Sequence, residues 1–525
     1  MMTTILDCTL RDGGYYTKWD FNKELVDQYI NTVSNLPIDY VEIGYRSPVK
    51  KEYFGEYFYL PTSTIIRIRE KLNKNKKIAI MINTKDCRDE KHLEELLLNC
   101  NGLVDMVRFA VSPNSINHAV RLGKKAKELG FELALNIMYL SKSSVEELEG
   151  FVKQIIAEIP SIDFIYFVDS YGACFPNEIR KKFEKSVEKF PGVNFGFHGH
   201  DNIQLAYANT IVSMEAGAKI VDSTITGMGR GAGNLSTELI CSHFNSKDNF
   251  NFDYTDLVDL VGEFTTLKDE YNWGTSLPYM ISGLEQLPQG EIMTLVSMKR
   301  YSTNSIIKMI KKNTSFTTGE HINRNQVLTN DTFNGTEDLV VLIGGGNTVS
   351  EHAHALVELG QNYNTLFIHS SLKNYKYTNL PGFKNLVCLP GDEYKKIDGM
   401  EDNDALFALS PKVNISQLNF KENVYYLGET DIDKFFADSD TVEDAPLLMA
   451  LKAARHSNAQ NIFLIGFDGY GDDNITHKML REENQLIIDK FNQFNDNELI
   501  SLTESKYSLT VKSLYGLLYE GIINE

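Results

Sequence analysis

One pattern constrains this chain more than any other: from residue 1 to about 230, a short apolar segment ending in polar residues is followed by an amphipathic helical one, over and over. The apolar segments are TTILDCTL, YVEIGY, KIAIMIN, MVRFAV, FELALNIM, FIYFVDS, NFGFHGH and IVDSTITG, eight in all. Several are almost continuously apolar, as strands buried on both faces are. Between them, NKELVDQYINTVSNL, STIIRIREKLN, SINHAVRLGKKAKELG and SSVEELEGFVKQIIAEI carry apolar residues at helical spacing. Ser143 or Ser144, ahead of Glu146 and Glu147, gives the last of these a capping signal. Eight such units predict an α/β fold, a (β/α)8 TIM barrel.

At 525 residues the chain is too long for one ordinary core. The barrel is expected over 1–245. Residues 246–312 are helical without clear strands, a helical extension. The polar, Thr-, Asn- and Gly-rich stretch 313–336 is a linker. Strand–helix alternation resumes over 337–525 through DLVVLIGGGN, NTLFIHSS, NLVCLPG, DALFALSP, NVYYLGE and NIFLIGFDGYG, predicting an open, Rossmann-like α/β domain.

Composition narrows the partners. A formal charge of −19 is the wrong sign for a surface that neutralises phosphates, so nucleic acid is excluded as a partner. No run approaches about 18 apolar residues, so no membrane span is expected. The opening MMTTILDCTLRDGG has no basic segment leading into an apolar one, and a cytoplasmic location is expected. The six cysteines are scattered without a CxxC pair, and read as reduced packing residues.

Barrel chemistry is carried at the C-terminal ends of the strands. The first ends in Asp7, Thr9, Arg11, Asp12, Gly13 and Gly14, and the seventh in His198, Gly199, His200, Asp201 and Asn202. Side chains two apart on a strand point the same way, so His198 and His200 share a face. With Asp12 one strand beyond their neighbour, they form a facial metal site with open positions. The turn GMGRGAGN after the eighth strand brings Asn234 over the mouth as a fourth, oxygen ligand. Oxygen and nitrogen donors without thiolate suit Mn, Mg or Co.

In this order, DCTLRDGG, EIGYRSP, VDSYGA, FHGHDN and GMGRGAGN resemble the metal-dependent carbon–carbon lyase and synthase family that includes 4-hydroxy-2-oxovalerate aldolase, hydroxymethylglutaryl-CoA lyase, and the isopropylmalate and homocitrate synthases. The resemblance covers residues 3 to 240 and continues through WGTSLPYMISG. It implies a divalent metal on Asp12, His198 and His200, with Asn234 nearby, chelating a 2-oxo acid, and Arg11 stabilising the enolate. A cation on that oxygen stabilises charge that grows only in the transition state.

Two departures stand out. Aldolases of the family carry a catalytic His three residues after the metal Asp, where this chain has Tyr15. The acyl-CoA-condensing members read RDGEQ, where it has RDGGYY. An ordinary Tyr is a poor base at neutral pH but serves as an acid. Glu42 is either a base or a partner for Arg11. Ser170 stands where the aldolases use a serine near the substrate oxygen. Arg108 and Asn136 either hold a substrate carboxylate or hydroxyl, or satisfy one another. Tyr279 reads as packing.

In the C-terminal segment, Gly344, Gly345, Gly346 and Asn347 form a turn between a strand and a helix, suited to phosphate and hence to a nucleotide. The GxGxxG spacing is absent and the next strand ends in HSS, which disfavours NAD. The turn and FLIGFDGYGDD are remotely similar to nucleotide-sugar-binding folds of bacterial sialyltransferase-like proteins. His352, His354 and His369 read as solvated or core histidines.

The expected function is that of a metal-dependent aldolase acting through the enolate of a pyruvate-type 2-oxo acid, with a small-molecule 2-oxo acid and an aldehyde as substrates. A Claisen-type synthase joining an acyl-CoA to a 2-oxo acid is the alternative. A second is a barrel without turnover, with a nucleotide-sugar-binding or transferase C-terminal domain. A homo-oligomer is expected by analogy with paired barrels of the family.

Overall fold

The computed structural model describes residues 3–248, 252–298, 300–301, 303–310, 326–333, 337–391, 393–399, 405–410, 423–436, 444–457, 462–471, 475–494 and 498–520. The chain separates into two compact units, Met1–Met293 and Thr294–Glu525.

The first unit is a closed barrel of eight parallel strands: β1 Thr4–Asp7, β2 Tyr40–Tyr45, β3 Lys77–Asn83, β4 Met106–Val111, β5 Glu132–Ile137, β6 Phe164–Asp169, β7 Phe195–Gly199 and β8 Ile220–Ser223. Each pairs with the next, and β8 closes onto β1 with Asp7 opposite Ser223. Leu6, Ala79, Met106, Ala134, Tyr166 and Ile220 fill a cluster of their own. Their strand neighbours Ile5, Ile78, Val107, Leu133, Ile165 and Val221 belong to a second, larger core. The period-two alternation thus sorts one set into the barrel interior and the other under the helices. Each buried aliphatic contributes about 1.5–3 kcal/mol.

Helix starts follow the sequence closely. Of the two candidate serines it is Ser144 that caps: its hydroxyl accepts from the Glu147 amide at 3.1 Å, while Glu147 accepts from the Ser144 amide at 2.8 Å. β1 is shorter than its apolar segment. Asp7 accepts from the Thr9 amide at 2.9 Å, and residues Thr9–Asp12 turn into a helix. Arg11 and Asp12 therefore reach the mouth from a helical turn, not from the strand.

Beyond the barrel come helices Thr255–Tyr271, Leu277–Leu284, Gln289–Ser297 and Thr303–Ile310. The expected extension is divided, because its two ends bury different side chains. Leu257, Leu260, Phe264 and Trp273 join the barrel core, whereas Leu295, Tyr301 and Ile306 join the core of the second unit. Of the expected linker, 313–325 and 334–336 lie outside the described residues. Within it, Val327–Leu328 is a strand, β9.

The second unit is a nine-stranded sheet, parallel at every pairing. Its further strands are β10 Leu339–Ile343, β11 Thr365–His369, β12 Lys384–Leu389, β13 Leu406–Leu409, β14 Val424–Leu427, β15 Ile462–Ile465, β16 Ile500–Ser501 and β17 Thr510–Val511. They run β17-β16-β15-β10-β11-β12-β13-β14-β9. Alternate residues of β10 face opposite cores. Val340 and Leu342 pack with the helix Pro446–His456, and Leu339 and Val341 pack with the helix Ala353–Asn362. The chain leaves β10 toward β11 on one side, and β15 toward β16 on the other, so strand order reverses between β10 and β15.

Candidate metal centre

At the mouth of the barrel the ligand atoms of Asp12, His198 and His200 lie within 4.8 Å of one another, all three side chains buried. His198 stands on β7. His200, one residue past it, bridges to Asn234. The two imidazole centroids are 5.1 Å apart. Each ring uses Nδ1 on the protein: His198 at 2.9 Å from an Asp222 carboxylate oxygen, His200 at 3.3 Å from the Gly233 carbonyl. Those acceptors favour the proton on Nδ1 and turn Nε2 toward the centre, the way second-shell partners orient ligating histidines.

Electrostatics prepare the same arrangement. Burial pushes His200 down to about 3, with Asp12 opposing and His198 and Arg230 reinforcing, so its imidazole is neutral at ordinary pH. Burial alone would raise the Asp12 carboxyl, but Arg11, His200, His198 and the Asn234 amide hold it well below the usual carboxylate range. The centre therefore offers an anionic oxygen from Asp12 and a neutral nitrogen from His200, the protonation states a metal requires of such ligands.

Asn234 donates from Nδ2 to Asp12, while its buried Oδ1 has no hydrogen-bond partner. That unmet acceptor beside Asp12 completes a donor set of two nitrogens and two oxygens fitting a divalent ion with open positions. The glycines of GMGRGAGN are needed for it. A Cβ on Gly229 would stand 2.4 Å from Asn234 Nδ2 and 2.9 Å from the Asp12 carboxylate. Gly233, at φ +89°, would meet the Gly227 carbonyl at 2.1 Å.

Behind the centre runs a buried chain of alternating charge. Arg11 donates to Asp12 from Nη1 and to Glu42 from Nε at 2.7 Å. Arg108 lies 3.1 Å from the same Glu42 oxygen and donates to Asp222 at 2.6 Å, with its guanidinium 4.4 Å over the Tyr166 ring. Asp222 then meets His198. Arg108 and Glu42 are fully buried, and Asp222 nearly so. Two expectations change accordingly. Arg108 makes no hydrogen bond to Asn136 and lies between the Glu42 and Asp222 carboxylates, which favours positioning over substrate binding. Glu42 carries two guanidinium partners on one oxygen, which favours partner over base. Asp222 was missed as a site residue.

The remaining candidates ring the mouth. The Ser170 hydroxyl accepts from the Tyr139 amide at 3.0 Å and keeps its own proton to donate. Asn136 is buried with Oδ1 unpartnered. Tyr15 is 36% exposed, edge-on to Trp19, with its hydroxyl 3.3 Å from that of Tyr45. Tyr279 is buried, its hydroxyl 3.3 Å from that of Tyr16, which donates to the Gly231 carbonyl at 2.6 Å. Asn202 donates to the Tyr279 carbonyl and to Gln289, tying HGHDN to the extension.

The glycine turn of the second unit is built differently. Gly344 follows β10, and Gly345, Gly346 and Asn347 lead into a helix of only four residues, Thr348–Glu351. The place expected for phosphate is held by the Asp468 carboxylate, which accepts from the Thr348 amide at 3.2 Å and from its hydroxyl. His369 is a core histidine between Thr378 and Asn385, pushed down to about 4 by burial. His352 and His354 both meet the Tyr515 hydroxyl.

A closed parallel barrel with imidazoles and a carboxylate at its C-terminal mouth defines a class of barrel enzymes. The HMGL-like family profile matches residues 102–261. The chain is 30% identical over 241 residues to the 4-hydroxy-2-oxovalerate aldolase of Pelotomaculum thermopropionicum, covering 45% of this chain and 68% of that one. It is 28% identical over 246 residues to the 4-hydroxy-2-oxovalerate aldolase of Bacillus cereus, covering 45% and 67%. Among solved structures, the N-terminal domain of a candidate aldolase from Bacteroides vulgatus is 46% identical, covers 58% of this chain and 99% of that chain, and superposes with a TM-score of 0.53. The chain belongs to the HMGL-like family of DRE-TIM metallolyases. Family and relatives mark it as an enzyme of the lyase type.

Proposed function

We propose that the barrel is a divalent-metal-dependent aldolase that makes or breaks a carbon–carbon bond through the enolate of a pyruvate-type 2-oxo acid, with an aldehyde as the second substrate. The observation that carries this reading is the convergence of Asp12, His198, His200 and the unmet Asn234 oxygen beside the Arg11 guanidinium. Those four residues would hold Mn, Mg or Co, which when bound supplies Lewis acidity toward the 2-oxo acid's oxygens.

The chain's own groups account for the rest. Arg11 is spent on Glu42 through Nε and on Asp12 through Nη1, which leaves Nη2 to donate to the oxygen where enolate charge grows. Glu42, Arg108 and Asp222 are positioning residues: they fix Arg11 at one end and His198 at the other. Ser170 donates its hydroxyl proton, and Asn136 Oδ1 accepts from a substrate hydroxyl. Tyr15, in the place of the family's histidine, passes the proton exchanged with the aldehyde oxygen. Tyr45, raised by burial and by Tyr15 beside it, stays a phenol within hydrogen-bonding distance of Tyr15.

The second unit is read as Rossmann-like, because its strand order reverses beside β10. No described helix is long and apolar enough to cross a membrane. A cytoplasmic protein that pairs through its barrels suits these substrates.

The test is metal-dependent release of a 2-oxo acid from 4-hydroxy-2-oxovalerate. Wild type should cleave it, and Tyr15→Phe should lose about 100-fold or more in cleavage while keeping pyruvate proton exchange. Thiol release from an acyl-CoA and a 2-oxo acid, without cleavage, would replace the aldolase reading with the Claisen one.

A further inference from the structure

The second unit contains a cavity of about 650 Å³, outside anything the barrel's reaction uses. It opens at the C-terminal ends of β10 and β15, where strand order reverses and parallel α/β sheets bind their ligands. Its volume is that of a small-molecule site.

Its polar groups are unlike those of a phosphate loop. Across the glycine turn, Asn374 donates to the carbonyls of Gly344 and Gly346 at 2.8 and 3.0 Å, and Lys373 donates to that of Gly345 at 2.6 Å. A Cβ on Gly346 would lie 2.4 Å from the Asp468 carboxylate, and one on Gly344 would lie 2.3 Å from the Gly466 carbonyl. These glycines admit a carboxylate and a neighbouring strand end. With Asp468 on the helix start, whatever a ligand presents there must donate hydrogen bonds.

Farther along the wall stands Arg300. Its guanidinium meets Glu483 at 3.1 Å, Asn484 at 3.3 Å and the Tyr470 hydroxyl at 3.4 Å. Its side chain is 15% exposed, and its buried Nε–H donates to no protein acceptor. A partly exposed guanidinium that lines a cavity favours an acceptor that is itself anionic. Lys373, exposed at the rim, adds a second cation. Phe467 and Tyr470, either side of Asp468 in the chain, also line the cavity.

We infer that this cavity binds a polyhydroxylated phosphate, a sugar phosphate or a nucleoside monophosphate, with hydroxyls on Asp468 and the anionic group on Arg300 and Lys373. The orientation is opposite to the one the glycine turn suggests, because the turn receives the polyol. The inference stands on this cavity alone and is independent of the barrel's reaction.

Calorimetric titration of the full chain tests it, with ribose 5-phosphate, glucose 6-phosphate and the ribonucleoside 5′-monophosphates as probes, and ribose and inorganic phosphate as controls. At least one polyol phosphate should bind more tightly than either control, and the probe that does tells sugar phosphate from nucleotide. Lys373→Gln and Arg300→Gln should each weaken that probe about tenfold or more, and Asp468→Asn should cut its advantage over inorganic phosphate. Lys373→Gln changes an exposed side chain and keeps the test alive if Arg300→Gln unfolds. Pyruvate proton exchange in the barrel should be the same in all three folded variants. Absence of binding by every probe, inorganic phosphate binding as well as the polyol phosphates, or wild-type binding in both Lys373→Gln and Asp468→Asn would overturn the inference.

Discussion

Both units place a glycine-rich turn after a parallel strand, and the two turns do opposite things. In the barrel, GMGRGAGN lets Asn234 approach Asp12 so closely that Gly229 has no room for a Cβ, and an acceptor oxygen is left unmet. In the second unit, GGGN admits a carboxylate just as closely, and Asp468 accepts the Thr348 amide on one oxygen and the Thr348 hydroxyl on the other, which leaves each oxygen able to accept again. One turn leaves a neighbouring amide oxygen wholly unmet, and the other holds a half-used carboxylate at a helix start. Glycine at such a turn reports close approach, and only the partner's remaining hydrogen-bonding capacity says whether a ligand is expected.

The contrast extends to the buried guanidinium of each unit. Arg108, fully buried between Glu42 and Asp222, should be the costlier to remove. Arg108→Met should lose about 3–5 kcal/mol by urea denaturation, because buried Asp222 loses its guanidinium and buried Glu42 keeps only that of Arg11. Arg300→Met, at 15% exposure, should lose less. Equal losses would mean that the barrel's charge chain is no more tightly coupled than a partly solvated pair.

Next in size is the link from this chain to the metal. Asp222→Asn keeps the shape but weakens the acceptor that orients His198, and should lower Mn affinity about 10–100-fold, read by metal titration. Unchanged affinity would separate the charge chain from the centre.

The last effect, small when read one pH unit at a time, is in pH dependence. His200 is held at about 3 in the folded state, below the ordinary value near 6.5. As pH falls from about 6.5 to about 3 the unfolded chain takes up a proton there that the folded chain does not, so stability falls with pH across that window. The metal-free wild type should lose up to about 1.4 kcal/mol per pH unit more than His200→Gln over that range, followed by denaturant melts at stepped pH. Parallel slopes would place His200 in a more solvated setting. His369, held at about 4 in the second unit, gives the same sign and is the internal comparison.

Much of this was legible from the sequence because barrel topology does the converging. Once eight apolar segments are aligned as neighbouring parallel strands, Asp12, His198, His200 and Asn234 have to meet at one mouth. Asp222 was overlooked although IVDS carries a signal: a charge inside an apolar strand has to find a partner. Glu42 in YVEIGY and Arg108 in MVRFAV are the matching intrusions, and together they spell out the buried chain. β9, β16 and β17 had no such signal, since two residues are too few to show a period. The role of GGGN was hidden for another reason. Asp468 lies 120 residues from Thr348, and only the sheet brings them together.

The most direct test of the barrel centre is proton exchange of pyruvate in heavy water, followed by NMR with Mn or Mg, with a chelator, and in His200→Ala. Exchange that needs the metal and disappears in His200→Ala, with the circular dichroism of that variant unchanged, is the predicted result. Exchange that persists with the chelator or in His200→Ala would contradict an enolising metal centre on these residues.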